Sequence, residues 1–379
     1  MKAWRLTMAG GSFRLEDVPD PVPRPGAVIV RVHAAPLVSY LRAYVSGTLP
    51  GYHPPEETFT PGTNAVGVIE QVGPGVYGLT PGQRVLVSGH LTAAENVPEP
   101  AQALLAMTAE PASAALLEDW RDGTLAELVA VPAAAVTPVP AGLGSVPSTQ
   151  LAAVIRCLVP YGGLLRGRLA AGETAIVNGA TGAFGTAGVH VALAMGAARV
   201  VAAGRNEAVL AALEGLDRVA AVKLTGDAAA DTDALRAAAA GGDSAVGETR
   251  DKGAAGKGAA TAGADCALDM VGGAGSAEGT LATLGALARG GRLVLMGSMR
   301  IPLPIDYTQL MLTNREIIGN FMYPRTASRQ LLQLAAAGLL DLGHIQLATF
   351  GLAALEAAMD AAAAPGAPLV VVTTASSTA

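Results

Sequence analysis

Ile176-Val177-Asn178-Gly179-Ala180-Thr181-Gly182-Ala183-Phe184-Gly185-Thr186-Ala187-Gly188 decides the fold. An apolar run enters a glycine-spaced turn, and the turn opens a helix-prone stretch over Thr186 to Met195. Gly179 and Gly182 let the backbone bend and come close to a pyrophosphate. Gly185 lets the helix lie against the strand. Unpaired N–H groups and the positive end of the helix dipole then face the phosphates. Three glycines alone carry little weight, but a strand before them and a helix after them supply the context that the chemistry needs. Residues Gly179, Ala180, Thr181, Gly182, Ala183, Phe184 and Gly185 are therefore the expected dinucleotide-binding turn.

Outward from that turn, apolar strands alternate with alanine-rich helices. The next strand is Arg199 to Ala203 and the next helix Glu207 to Leu213. Later strands fall at Cys266 to Asp269 and Arg292 to Met296. This βαβ rhythm predicts a parallel, doubly wound α/β sheet. Residues Gly226 to Gly263 are built almost wholly from Ala, Gly, Asp, Thr and Lys. The stretch 241–263 has little to bury and is expected to be a flexible insertion.

The second strand ends Ala203-Gly204-Arg205-Asn206. An NAD site would carry Asp or Glu there, to take the ribose 2′-OH. Here Gly204 is followed by Arg205, whose forked donors suit a 2′-phosphate. NADPH is the expected cofactor, with Lys223 a second candidate for the same phosphate.

Toward the N-terminus the texture is different. Short β-branched runs at Val28 to Val32, Val66 to Val72 and Arg84 to Val87 are punctuated by Pro-Gly at 25–26, 61–62, 74–75 and 81–82. A barrel or sandwich is expected. Leu91 to Asp122 interrupts it, with helices expected around Ala101 to Met107 and Ala112 to Trp120. At the other end, helices are expected over Ala327 to Leu340 and Leu352 to Ala364, then a closing strand at Pro368 to Val372 and a frayed end from Ala375.

The chain has 379 residues, 51% of them hydrophobic but only 4% aromatic and 15% charged. Its length suggests two domains. No uninterrupted apolar run reaches about 18 residues, so no membrane span is expected. The net charge of −6 speaks against a nucleic-acid surface. Cys157 and Cys266, the two cysteines, build neither a disulfide framework nor a four-cysteine zinc lobe. A cytoplasmic location is expected.

These motifs together resemble the medium-chain dehydrogenase/reductase superfamily, and within it the zinc-independent quinone oxidoreductase and enoyl reductase branch. Pro61 to Gly73 with Gly82-Gln83-Arg84-Val85, then Gly123 to Val129 with Val131-Pro132, are similar to the family's barrel blocks. Gly172 to Gly185, Leu268 to Gly273 and Leu295-Met296-Gly297 are similar to its cofactor-domain strands. The resemblance adds Val271 and Gly297 to the expected cofactor residues. It implies a GroES-like β-barrel substrate domain at 1–148, a Rossmann NADPH-binding domain at 149–315, and a return to the substrate domain at 316–379. It also implies a cofactor cleft between the domains and a homodimer that pairs sheet edges near Arg292 to Met296.

Zinc members of the superfamily hold the metal with a Cys, a His-Glu pair and a second Cys. Here those positions carry Val38 or Ser39, then Thr63-Asn64, and only Cys157 remains. A catalytic zinc needs about three protein ligands, so no metal is expected. Hydride transfer then needs another donor for the developing charge. The resemblance places Leu37 to Tyr44 beside the nicotinamide pocket. Tyr40 is the first candidate, Tyr44 the second, and Asn64 an amide that also reaches the site. Tyr52, His53, Phe59, Phe321, Met322 and Tyr323 are expected around a small hydrophobic substrate. The function implied is NADPH-dependent reduction of an enone, quinone or activated C=C bond. A zinc-free carbonyl reductase, or an NADPH-binding protein without catalysis, remains open at this point.

Overall fold

The computed structural model describes residues 1–93, 95–241, 263–364 and 366–374. The chain forms two compact units, Met1–Ile155 with Pro324–Ala379, and Arg156–Tyr323. The expected 148/149 and 315/316 boundaries both move toward the C-terminus. The second moves because Glu316–Gly319 completes the parallel sheet of the inner unit instead of returning to the barrel.

In the inner unit the strands are β1 (Thr174–Asn178), β2 (Arg199–Gly204), β3 (Val219–Lys223), β4 (Ala264–Asp269), β5 (Leu287–Leu295) and β6 (Glu316–Gly319). Among the described residues they form one parallel sheet in the order β3-β2-β1-β4-β5-β6. That order reverses between β1 and β4, which is where doubly wound sheets hold ligands. The helices that return the chain are α1 (Ala183–Ala194), α2 (Glu207–Glu214), α3 (Ala228–Ala240) and α4 (Glu278–Gly285).

Local chemistry sets their ends. Asn206 caps α2 by accepting from Val209 N at 3.2 Å, and Asp227 caps α3 by accepting from Ala229 N and Ala230 N. Such caps each contribute about 1 kcal/mol. Ile176, Val201, Val222, Leu235, Ala267 and Leu293 fuse the sheet and its helices into one core. The expected flexible insertion 241–263 lies almost wholly outside the described residues, as does the frayed end 375–379.

The outer unit is antiparallel for the most part. Ala27–Pro36 pairs with Ala65–Val72 and Leu128–Pro132, and Ala65–Val72 pairs in turn with Arg84–Val87. The closing strand Leu369–Thr373 returns to pair with Ala34 to Pro36. A smaller sheet joins His90–Ala93, Ala101–Leu104 and Thr108–Ala109. The helix expected around Ala101 to Met107 is therefore a strand and a turn. Ala and Leu are strong helix formers, but intrinsic propensity is small beside tertiary context, and the backbone partners offered on both sides override it. The helix expected at Ala112 to Trp120 forms over Ala114–Asp119.

Candidate functional site

One cavity of about 550 Å³ opens at the C-terminal ends of β1, β2 and β4, all within the inner unit. Asn178, Gly179, Thr181, Gly182, Gly204, Arg205 and Val271 line it, with Leu224 and Asp231, the loop Gly272 to Ser276, and Glu278 to Thr280 of α4. Gly179 sits at φ 80°, a conformation that other residues adopt at a cost. Gly182 is the N-cap of α1, and no side chain caps that helix end. The first-turn N–H groups are thus left for a ligand.

The other expected turn residues support the cavity from behind or beside it. Ala180 is buried and donates its N–H to Ala203 O at 2.9 Å. Gly185 packs so tightly that a Cβ there would lie 2.0 Å from Gly179 O. Ala183, exposed, and Phe184, half-buried, begin α1. A Cβ on Gly297 would lie 1.9 Å from Val271 O, so this glycine backs the wall that Val271 presents.

The two cationic candidates separate. Arg205 is exposed and lines the cavity. Lys223 instead pairs with Glu207 and lies outside the cavity lining. Glu207, beside that ammonium, is held below the usual carboxylate range by the hydrogen bond from Lys223. This exposed charge pair carries little stability, and it turns the Lys223 ammonium toward Glu207.

Asn178 and Thr280 of the cavity wall belong to a buried polar cluster around Asp269 that the sequence reading did not single out. Asp269 accepts from Thr280 Oγ1 at 2.5 Å, from Asn178 Nδ2 at 3.2 Å and from Val271 N at 2.9 Å. Burial pushes its carboxyl above the usual range, and these hydrogen bonds oppose the shift. A polar residue closing two adjacent parallel strands, Asn178 on β1 and Asp269 on β4, was the available signal.

The tyrosine candidates lie in the outer unit. Tyr40 precedes the short helix Leu41–Val45 and is half-buried. Its ring lies 5.8 Å from that of Tyr52. Burial, with Tyr52 beside it, pushes the Tyr40 phenol well above its ordinary value. Tyr44 is only 2% exposed and donates its hydroxyl to Ala106 O at 3.1 Å. Its ring meets those of Tyr52 and Phe59 edge-on. The proton of Tyr44 is therefore committed to the core.

Asn64 is also committed. Its Nδ2 donates to Val87 O at 3.3 Å and its Oδ1 accepts from Thr63 Oγ1 at 2.8 Å. Phe59, expected at the pocket, is fully buried instead, and its backbone exchanges hydrogen bonds with Leu6. His53 is exposed, with its N–H donated to Thr108 Oγ1 at 2.8 Å. Phe321 is exposed, Met322 half-buried and Tyr323 buried.

Cys157 is wholly buried, and burial pushes its thiol up to about 12. Cys266 is buried in β4 with its thiol pushed up to about 11, mainly by burial. Neither is poised as a thiolate. Among the described residues no group of three His, Cys, Asp or Glu side chains stands close enough to hold a metal ion. No described helix is long and apolar enough to cross a membrane.

Comparison with known proteins places both units. Residues 24–141 match the alcohol dehydrogenase GroES-like domain family, and residues 183–337 match the zinc-binding dehydrogenase family. An acryloyl-coenzyme A reductase of Metallosphaera sedula is 31% identical over 199 residues, covering 52% of this chain and 56% of that protein. The chain thus matches about half the length of that relative. The crystal structure of AibC superposes with a TM-score of 0.73 at 24% identity, over 98% of this chain and 95% of that one. A putative zinc-binding dehydrogenase from Sinorhizobium meliloti, bound to NADP, superposes with a TM-score of 0.72 at 22% identity, over 98% of this chain and 99% of that one. With a barrel matched on one side, a 3-2-1-4-5-6 parallel sheet on the other and both family matches in order, the chain belongs to the medium-chain dehydrogenase/reductase superfamily.

Proposed function

We propose that the protein is an NADPH-dependent, zinc-independent reductase that delivers hydride to a hydrophobic enone, quinone or otherwise activated C=C bond. The observation that carries this reading is the cavity at the strand ends, where an uncapped helix N-terminus and a glycine turn stand beside Arg205. The donor set fits a phosphorylated dinucleotide. Backbone N–H groups suit the pyrophosphate and the guanidinium suits a 2′-phosphate. When bound, NADPH supplies the hydride.

The chain's own residues supply position and proton. Tyr40 is the donor in this reading, because Tyr44 and Asn64 spend their polar atoms inside the fold. A phenol held neutral by burial donates to an oxygen that gains charge, or protonates the adjacent carbon. Zinc independence is supported by the side chains at the ligand positions, Val38, Ser39, Thr63, Asn64 and one buried thiol, Cys157, which offer no tridentate set. The named activity of the Metallosphaera relative supports an activated C=C bond as the acceptor.

A cytoplasmic homodimer is part of the proposal. The expected pairing lies near Arg292 to Met296, in β5, whose outer neighbour β6 is the edge strand on that side of the sheet. Between β5 and β6 in the chain, the helix Tyr307–Thr313 buries none of its residues and leaves Tyr307, Met311 and Leu312 exposed. Light scattering on the purified protein tests the dimer.

The activity test is NADPH consumption against a panel of enones, enoyl thioesters, quinones and aldehydes. Turnover of the first three classes is expected, unchanged by a chelator. Turnover of aldehydes alone favours carbonyl reduction, and consumption with none of them overturns the enzymatic reading. Activity lost on chelation, with one zinc per chain by elemental analysis, overturns zinc independence.

A further inference from the structure

Asn178 ends β1 immediately before the glycine turn, and its side chain is fully buried in the cavity wall. Asp269 accepts from Thr280 Oγ1 and Val271 N, and in its ionised form it can only accept, so the face of the amide toward it is the donating Nδ2. That leaves Oδ1 with no hydrogen-bond partner among the described residues. A buried, unmatched acceptor is costly and rare in a native fold, and calls for a donor that the described residues do not provide. A phosphate cannot be that donor, since it presents only acceptors.

The strand order says which side of a ligand this is. Arg205 follows β2, the glycine turn follows β1, and Asp269 closes β4 on the far side of β1. A ligand with its 2′-phosphate at Arg205 and its pyrophosphate at Gly179 to Gly182 continues past Asn178 toward β4. We propose that Asn178 is a ligand-binding residue whose Oδ1 accepts a hydrogen bond from a ribose hydroxyl beyond the pyrophosphate, on the half of the dinucleotide away from Arg205. This rests on the NADPH reading above. Asp269 and Thr280 act through Asn178 as positioning residues.

Calorimetric titration with two probes tests it. One is 2′-phospho-ADP-ribose, which carries the second ribose; the other is 2′-phospho-ADP, which stops at the pyrophosphate. The wild-type protein should bind the first about tenfold more tightly, the scale of one hydrogen bond onto a buried acceptor. In Asn178→Ala that ratio should fall to within about twofold while the affinity for 2′-phospho-ADP holds. A ratio that persists, a parallel loss of both ligands, or equal wild-type affinities overturns the assignment. Should Asn178→Ala not fold, a crystal structure of the wild-type protein with 2′-phospho-ADP-ribose decides. A ribose hydroxyl within about 3.2 Å of Oδ1 is expected, and a water in its place overturns the proposal. If the wild-type protein binds neither probe, the dinucleotide reading itself fails.

Discussion

The glycine turn after β1 and the tyrosine segment after strand Ala27–Pro36 both follow a strand, yet they are different kinds of site. The turn works through its backbone. Gly179 needs a positive φ, Gly185 needs the absence of a Cβ, and Gly182 presents a helix end that nothing else caps. The tyrosine segment works through side chains whose partners come from far along the chain: Tyr52 for Tyr40, and Ala106 for Tyr44. A backbone site is written into its own residue types. A side-chain site is completed only when distant loops arrive.

The largest effect that sharpens this contrast is expected at Tyr40. Tyr40→Phe should lower turnover by about 10²–10³-fold, the usual contribution of a general acid or oxyanion donor, and leave NADPH affinity unchanged. Because its phenol is pushed up by burial and by Tyr52, it stays protonated where an ordinary phenol, near pH 10, would ionise. Turnover should therefore show no alkaline loss at that pH. A full-rate Tyr40→Phe enzyme would break the assignment.

Two neighbouring glycines test the backbone side. A Cβ on Gly185 would meet Gly179 O at 2.0 Å, so Gly185→Ala must shift backbone and should cost about 2–3 kcal/mol of stability. A Cβ on Gly182 would lie 3.4 Å from the same oxygen, an ordinary contact, at φ −87°. Gly182→Ala should thus cost at most about 1 kcal/mol of folding as an inferior N-cap, while NADPH affinity falls more than tenfold because the methyl obstructs a pyrophosphate. Denaturation and binding curves on both variants would show the two roles separating. If Gly182→Ala binds normally, the turn is only a tight connection.

The same contrast explains what was legible in the sequence. Gly179, Gly182 and the strand-turn-helix pattern around them gave the parallel sheet and the turn that lines the cavity, but not the strand order. Strand Ala101–Leu104 was missed because alanine and leucine carry no strand signal of their own. Phe59 was misplaced because an aromatic in a loop segment reads the same whether it faces a pocket or the core. Residue type alone does not favour Tyr40 over Tyr44 or Arg205 over Lys223. The proposed choices rest on partners elsewhere in the chain, the Ala106 carbonyl for Tyr44 and Glu207 for Lys223.

Arg205 gives the next effect in size. Arg205→Ala should weaken NADPH binding by about 1.5–3 kcal/mol, the scale of a charge-assisted hydrogen bond, with little change for NADH. Lys223→Ala should alter neither, since its ammonium is turned to Glu207. Equal losses for both cofactors in Arg205→Ala would remove the 2′-phosphate role and leave a general electrostatic one.

The smallest expected effect lies on the other tyrosine. Tyr44 OH donates to the carbonyl of Ala106, a buried residue held at φ 52°, where a side chain other than glycine needs local support. Tyr44→Phe keeps the ring contacts with Tyr52 and Phe59 but leaves that carbonyl without its donor. The cost should be about 1–2 kcal/mol of stability, read from the denaturation midpoint at constant slope. Turnover and NADPH affinity should not change. The pair of tyrosines then divides cleanly: loss of rate without loss of stability at Tyr40, and loss of stability without loss of rate at Tyr44. If the two Phe variants exchange these signatures, the donor is Tyr44. The Ala106 contact would then have to open before the phenol could reach substrate.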